Sequence, residues 1–259
     1  NYKLAELEEK GKNINLGIVG AGQMGMGMVS QVMLMKGIRP AVVSDIDLDR
    51  AFNAYINAGV KSDDIAKVST IAEANEKMEQ GKYIVTDNSE IASKANLVDV
   101  AIDATGVPEV GAKIALDAID NKKHIVMLNV ETDVCIGPLL KKLADNAGVV
   151  YTGSAGDEPG AVKELYDFAD AAGFDVKVIG KGKNNKVDLD CNPDTVLEEA
   201  TRRGVSPHML ASFKDGTKTM VELTCMSNAT GFVPDIRGAH GAEAKVNELT
   251  SVLSLKEEG

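Results

Sequence analysis

Apolar and polar positions fall into alternating blocks along the chain. Short, β-branched apolar runs of strand length lie at residues 14–19, 40–44, 83–86, 98–102, 124–128 and 149–152. Helix-like segments separate them, at 24–35, 62–81 and 108–119, with another before Val149. Near-continuous apolar strands alternating with helices predict parallel strands buried on both faces, that is, an α/β fold with a doubly wound Rossmann sheet. Past Gly173 the pattern changes. Residues 174–180 read as a strand entering the basic loop Lys181-Gly182-Lys183-Asn184-Asn185-Lys186, and 194–203, 206–213 and 223–230 read as helices. The expected organisation is a dinucleotide-binding domain over residues 1–152 and a second, partial α+β substrate domain over 153–259.

The first strand runs directly into G-x-G-x-x-G at Gly20, Gly22 and Gly25. In such a turn the first glycine bends the chain, the second lets the backbone approach a pyrophosphate, and the third brings helix and strand together. The amides at the start of the next helix, including those of Gln23 and Met24, then face the phosphates. Asp45 ends the second strand about twenty residues on, where an acid accepts hydrogen bonds from the adenosine ribose. A carboxylate there repels a 2′-phosphate and favours NAD, whereas Arg50, one helical turn further, offers a partner for NADP. Asp45 also reads as an N-cap for the helix beginning near Asp47. The cofactor is therefore expected to be NAD or NADP, NAD being favoured.

Three further segments follow strand ends: Asp103-Ala104-Thr105-Gly106-Val107-Pro108, the run from Asn129 to Asp133, and Gly153 to Gly160. Thr105, Gly106 and Asn129 are expected beside the nicotinamide. Thr132 and Asp157 have a capping alternative, and Pro159 suits a first helical turn.

A net charge of −11, with no basic run to offset it, excludes nucleic acid and anionic membrane surfaces as expected partners. A small-molecule substrate and a homo-oligomer are expected instead. With 259 residues, 44% of them hydrophobic and 26% charged, the chain is long enough for a sizeable core. No apolar stretch approaches bilayer length and no signal-peptide core opens the sequence. Cys135, Cys191 and Cys225 are far apart, read as core residues, and indicate neither a disulfide framework nor a zinc site. A cytoplasmic protein is expected.

Lys181, Lys183 and Asn184 form a candidate clamp for a phosphate or carboxylate. Lys218 and Glu222 share a helix face, so Lys218 is the candidate general acid/base, with Glu222 and Glu131 as orienting carboxylates. Asp157 and Glu158, adjacent at a helix start, read as substrate ligands or as ligands of a divalent metal, and a metal requirement is left open.

The runs Leu128-Asn129-Val130-Glu131-Thr132-Asp133, Gly156-Asp157-Glu158-Pro159-Gly160, Gly180-Lys181-Gly182-Lys183-Asn184-Asn185, Asp215-Gly216-Thr217-Lys218-Thr219-Met220 and Pro234-Asp235-Ile236-Arg237-Gly238 carry a family resemblance. Over nearly its whole length the chain resembles the homoserine dehydrogenase-like oxidoreductases. It is most similar to their SAF-domain-containing branch, which includes the 1-deoxy-D-xylulose 5-phosphate reductoisomerase-like enzyme. The resemblance implies NAD(P)-dependent hydride transfer to or from a small polar, phosphorylated or carboxylated substrate, with a reductoisomerase-like isomerisation as a refinement. Proteins of this branch are longer, so a fragment lacking their C-terminal region is expected. True homoserine dehydrogenases carry an Asn-Lys pair where this chain has Asn129-Val130-Glu131, and an aspartate followed by a lysine four residues later where it has Lys218 and Glu222. Homoserine oxidation is therefore the weaker alternative. A non-catalytic dinucleotide-binding sensor or scaffold is the alternative of another class.

Overall fold

The computed structural model describes residues 2–183, 185–234 and 236–255. The chain divides into two compact units, 1–154 and 155–259. In the first lie α1 (Tyr2–Glu9), β1 (Ile14–Val19), α2 (Gln23–Val32), β2 (Ile38–Ser44), α3 (Leu48–Asn57), β3 (Ile65–Lys67) and α4 (Ile71–Glu79). They are followed by β4 (Tyr83–Thr86), α5 (Ser89–Lys94), β5 (Val100–Asp103), α6 (Pro108–Asp120), β6 (His124–Met127), α7 (Val130–Ala147) and β7 (Tyr151–Gly153).

All seven strands form one sheet in the order β3-β4-β2-β1-β5-β6-β7, and every pairing is parallel. The expected doubly wound Rossmann sheet is thus observed. Adjacent strand residues point to opposite faces. Val43, Val85 and Ile102 pack with α2 and α3 residues such as Val29, Ala51 and Tyr55. Val42, Ile84 and Ala101 pack with Ile91 of α5, Ile114 of α6 and Leu140 of α7. Gly17 shows why β1 needs a missing side chain at its centre, since a Cβ there would lie 1.9 Å from the Ala92 carbonyl oxygen of α5. The chain winds outward from β1 in one direction through β2 and in the other through β5. The crevice beyond the carboxyl ends of β1 and β5 is therefore the sheet's switch point.

Two expectations are corrected here. The stretch 62–81 is not one polar helix: it comprises a 3-10 turn at Ser62–Asp64, the strand β3 and the helix α4. Ile65–Lys67 gains the ladder of β4, with Ile65 opposite Tyr83, and the Thr70–Glu73 capping box starts α4 afresh. Helices α1 and α5 carry weak patterns and were not anticipated. Cys135 is exposed, unlike Cys191 and Cys225, and none of the three forms a disulfide.

The second unit holds α8 (Glu158–Ala171), α9 (Leu197–Arg203), α10 (Pro207–Asp215), α11 (Thr217–Thr230) and α12 (Leu249–Val252). Among its described residues there is no strand, and the one expected at 174–180 is irregular. A strand needs a paired neighbour along its length, and no ladder is assigned to this run, in which Phe174 and Val178 are exposed. The helix expected at 223–230 begins earlier, at Thr217, and buries Glu222, Cys225 and Met226. Cys191, Val196, Ala200, Leu210 and Ala211 form a small core around α9 and α10. No helix among the described residues is long and apolar enough to cross a membrane.

Candidate functional site

In the first unit, the ends of β1, β2, β5 and β6 bring together Gly20, Gly22, Gln23, Met24, Gly25, Asp45, Thr105, Gly106 and Asn129. Gly20 has φ +96°, and a Cβ there would lie 2.8 Å from the Ala104 carbonyl oxygen. At Gly25 a Cβ would lie 1.8 Å from the Gly20 carbonyl oxygen. A Cβ at Gly22, by contrast, meets nothing within 4 Å. Two glycines are thus closed in by protein, and the middle one opens on free space, as a backbone that receives a pyrophosphate requires. Gln23 and Met24, both exposed, open α2.

Asp45 is 8% exposed. Its carboxylate accepts from the Ala21 amide at 2.6 Å and from the Asp47 amide at 2.9 Å, and the Arg50 guanidinium lies 3.8 Å away. It therefore ties the glycine turn to the end of β2. Asp47, not Asp45, caps α3, accepting from the Asp49 and Arg50 amides. A carboxylate has about four lone-pair sites, so Asp45 retains acceptor capacity for a ribose hydroxyl.

Asp103 ends β5 with its side chain fully buried. It accepts from the Thr105 amide at 2.9 Å, the Thr105 hydroxyl at 2.7 Å and the Asn129 side-chain amide at 2.9 Å. Burial pushes its carboxyl above the ordinary aspartate value, with these donors pulling the other way. Asn129 also donates to the Val107 carbonyl at 3.0 Å, while its oxygen caps α7 by accepting from the Thr132 amide at 3.1 Å. Thr132 is thus not the cap, and its hydroxyl donates to the Pro108 carbonyl at 3.1 Å. The sequence places Asp103 at the head of a segment expected beside the nicotinamide, without a side-chain role of its own. The signal was an acid ending an otherwise apolar strand. Glu131 sits in the first turn of α7, partly buried.

In the second unit, Asp157, Glu158 and Glu222 each offer a carboxylate oxygen, all within 4.8 Å of one another. Glu222, 2% exposed, is contacted by the Lys181 ammonium, a partner that helix spacing does not reveal, and Lys181 also reaches Glu158 at 2.9 Å. Burial works against the Lys181 ammonium, but Glu222 and Glu158 outweigh it and hold lysine above its ordinary value. Asp157 caps α8, accepting from the Glu158 amide at 3.0 Å. Burial, then its hydrogen bond with the Glu158 carboxyl, raises Asp157 to about 6, partly offset by the nearby Lys218 charge. Glu158 is held down to about 2, first by that shared proton and then by Lys181. The cationic place among the carboxylates belongs to Lys181, and a divalent ion would have to displace it.

Lys183 donates to the Phe213 carbonyl and, at 3.0 Å, to Asn185, so it fastens its loop to the end of α10. Asn184 lies outside the described residues.

Residues 156–259 match the model of the family described as "Oxidoreductase DRL, catalytic domain". No curated protein matches the chain. Among solved structures, a probable dehydrogenase from Thermotoga maritima is 13% identical with a TM-score of 0.47, covering 85% of this chain and 56% of its own. An NAD binding oxidoreductase from Klebsiella pneumoniae is 16% identical with a TM-score of 0.44, covering 67% and 41%. The myo-inositol dehydrogenase from Lactobacillus casei, solved with NAD(H) and myo-inositol, is 16% identical with a TM-score of 0.42, covering 61% and 42%. The chain thus spans between two fifths and three fifths of these proteins' lengths.

Proposed function

We propose that the protein is an NAD(P)-dependent oxidoreductase, with NAD favoured, acting on a small polar, hydroxyl-bearing substrate. The observation that carries the reading is the turn at Gly20–Gly25, closed at two glycines and open at the third, with Asp45 at the end of β2. Gly20, Gly22, Gly25, Gln23, Met24 and Asp45 would hold the adenosine and pyrophosphate half, and Thr105, Gly106 and Asn129 the nicotinamide half. The cofactor supplies hydride transfer. The likeness of residues 156–259 to an oxidoreductase catalytic domain supports the same class.

Asp157 is the better candidate than Lys218 for moving the substrate proton, because a carboxyl near neutrality works efficiently in either direction. Glu158, ionised, orients it, and Lys181 neutralises the buried Glu222. With Lys181 and Lys183 already engaged and three carboxylates gathered, the cluster suits substrate hydroxyls better than a phosphate or carboxylate. An isomerisation preceding hydride transfer is compatible with this set. Homoserine oxidation is less so, since it leaves the Lys181–Glu222 pair unexplained. A dinucleotide sensor would leave the same cluster without a task.

Titration of NADH and NADPH, followed by nicotinamide emission, tests the reading; the chain has no tryptophan to interfere. NADH is expected to bind more tightly, and Gly22→Ala to weaken it at least about tenfold while changing stability by under about 0.5 kcal/mol. Failure of the wild type to bind either nucleotide, or binding undiminished in Gly22→Ala, would sink it.

A further inference from the structure

We infer that Asp103 is the positioning residue for the nicotinamide half of the site, acting through Asn129 and Thr105. This rests on the dinucleotide reading and adds a division of labour within it. Asp45, at the end of β2, belongs to the adenosine side, so the other half of the cofactor lies toward β5 and β6, whose ends carry Thr105 and Asn129.

The buried carboxylate at the end of β5 decides how both side chains face. An asparagine amide has two chemically different ends, and either can point outward unless neighbours choose. Here every neighbour chooses the same way. The amide oxygen takes the Thr132 amide at the start of α7, and the nitrogen donates to Asp103, to Val107 and, at 3.3 Å, to the Thr105 hydroxyl. Thr105 is fixed by the same carboxylate through two bonds. Asp103 therefore joins the loop after β5 to the start of α7. Gly111 shows how tightly α6 closes over this arrangement: a Cβ there would lie 2.2 Å from the Thr132 hydroxyl oxygen, 2.3 Å from Asp103 Oδ2 and 2.7 Å from Asn129 Nδ2. Such fit serves orientation, because three donors converging on one buried carboxylate leave Asn129 and Thr105 a single arrangement.

Asp103→Asn replaces an acceptor oxygen with a donor facing donors, so one of the three is orphaned and Asn129 is released. The test compares ADP-ribose, which lacks the nicotinamide, with NADH. Wild type is expected to bind both and to enhance NADH emission by immobilising the ring. In Asp103→Asn, ADP-ribose affinity should stay within about twofold, while NADH binds about tenfold more weakly and the enhancement of bound NADH is lost. If the variant does not fold, Thr105→Val removes one donor and Thr105→Ser keeps it: emission is expected to fall in the first and survive in the second. Equal losses for ADP-ribose and NADH, or unchanged emission in the folded variants, overturn the positioning role while leaving the dinucleotide site intact. A wild type that binds neither ligand overturns both.

Discussion

Asp157 is one of two neighbouring carboxyls whose ionisation the second unit shifts strongly. It is raised to about 6 in the folded chain from an ordinary 3.8, so the stability linked to its protonation is complete below about pH 4 and lost as pH rises through 6. Glu158 runs opposite: its contribution is present above 4.5 and is lost as pH falls toward 2. Lys181, Lys218 and Glu222 surround the pair. Asp157→Asn keeps a capping side chain and a donor for Glu158 but removes the titration. Its melting temperature relative to wild type is expected to climb between pH 4 and 7.5, and the pH limb near 6 in kcat/KM to disappear; a parallel displacement at all pH values would contradict this. The sequence exposed Asp157 as a cap and candidate ligand, but its environment came from residues distant along the chain. Asp103 was hidden for a related reason: hydrogen bonding to Asn129, 26 positions away, leaves no periodic trace.

At the scale of elements, Lys181 links α8, through Glu158, to α11, through Glu222. Removing one partner of a buried pair strands the other charge, at a cost of about 3 to 5 kcal/mol. Lys181→Met is therefore expected to lose roughly that much in urea unfolding, and the double variant Lys181→Met with Glu222→Gln to recover at least about 2 kcal/mol of it. Additive losses would mean that the pair does not hold the helices. Helical spacing puts Lys218 on the same face as Glu222, and spacing describes one helix surface only. Lys181 reaches the same carboxylate from an irregular segment that no periodicity describes. The same limit explains β3, a three-residue edge strand whose existence depends on β4 rather than on its own pattern.

At the scale of the molecule, the glycine turn, Asp45, Asp103 and Asn129 all lie within residues 1–154, together with two hydrophobic clusters on opposite faces of the sheet. Expressed alone, that segment is expected to unfold cooperatively and to bind ADP-ribose within about threefold of the full chain; loss of that binding would show that the second unit completes the adenosine site. By itself the sequence determined the parallel sheet, the turn at Gly20–Gly25 and the acid at the end of β2. Long buried strands and tight turns impose local rules, apolar runs and missing side chains, that are written where they act. Tertiary structure alone decided that Glu222 takes Lys181, that Lys183 fastens a helix end and that Asp103 governs Asn129. Each of these rests on a partner supplied from elsewhere in the chain, and hydrogen bonds and buried charges take whichever partner the fold brings within reach.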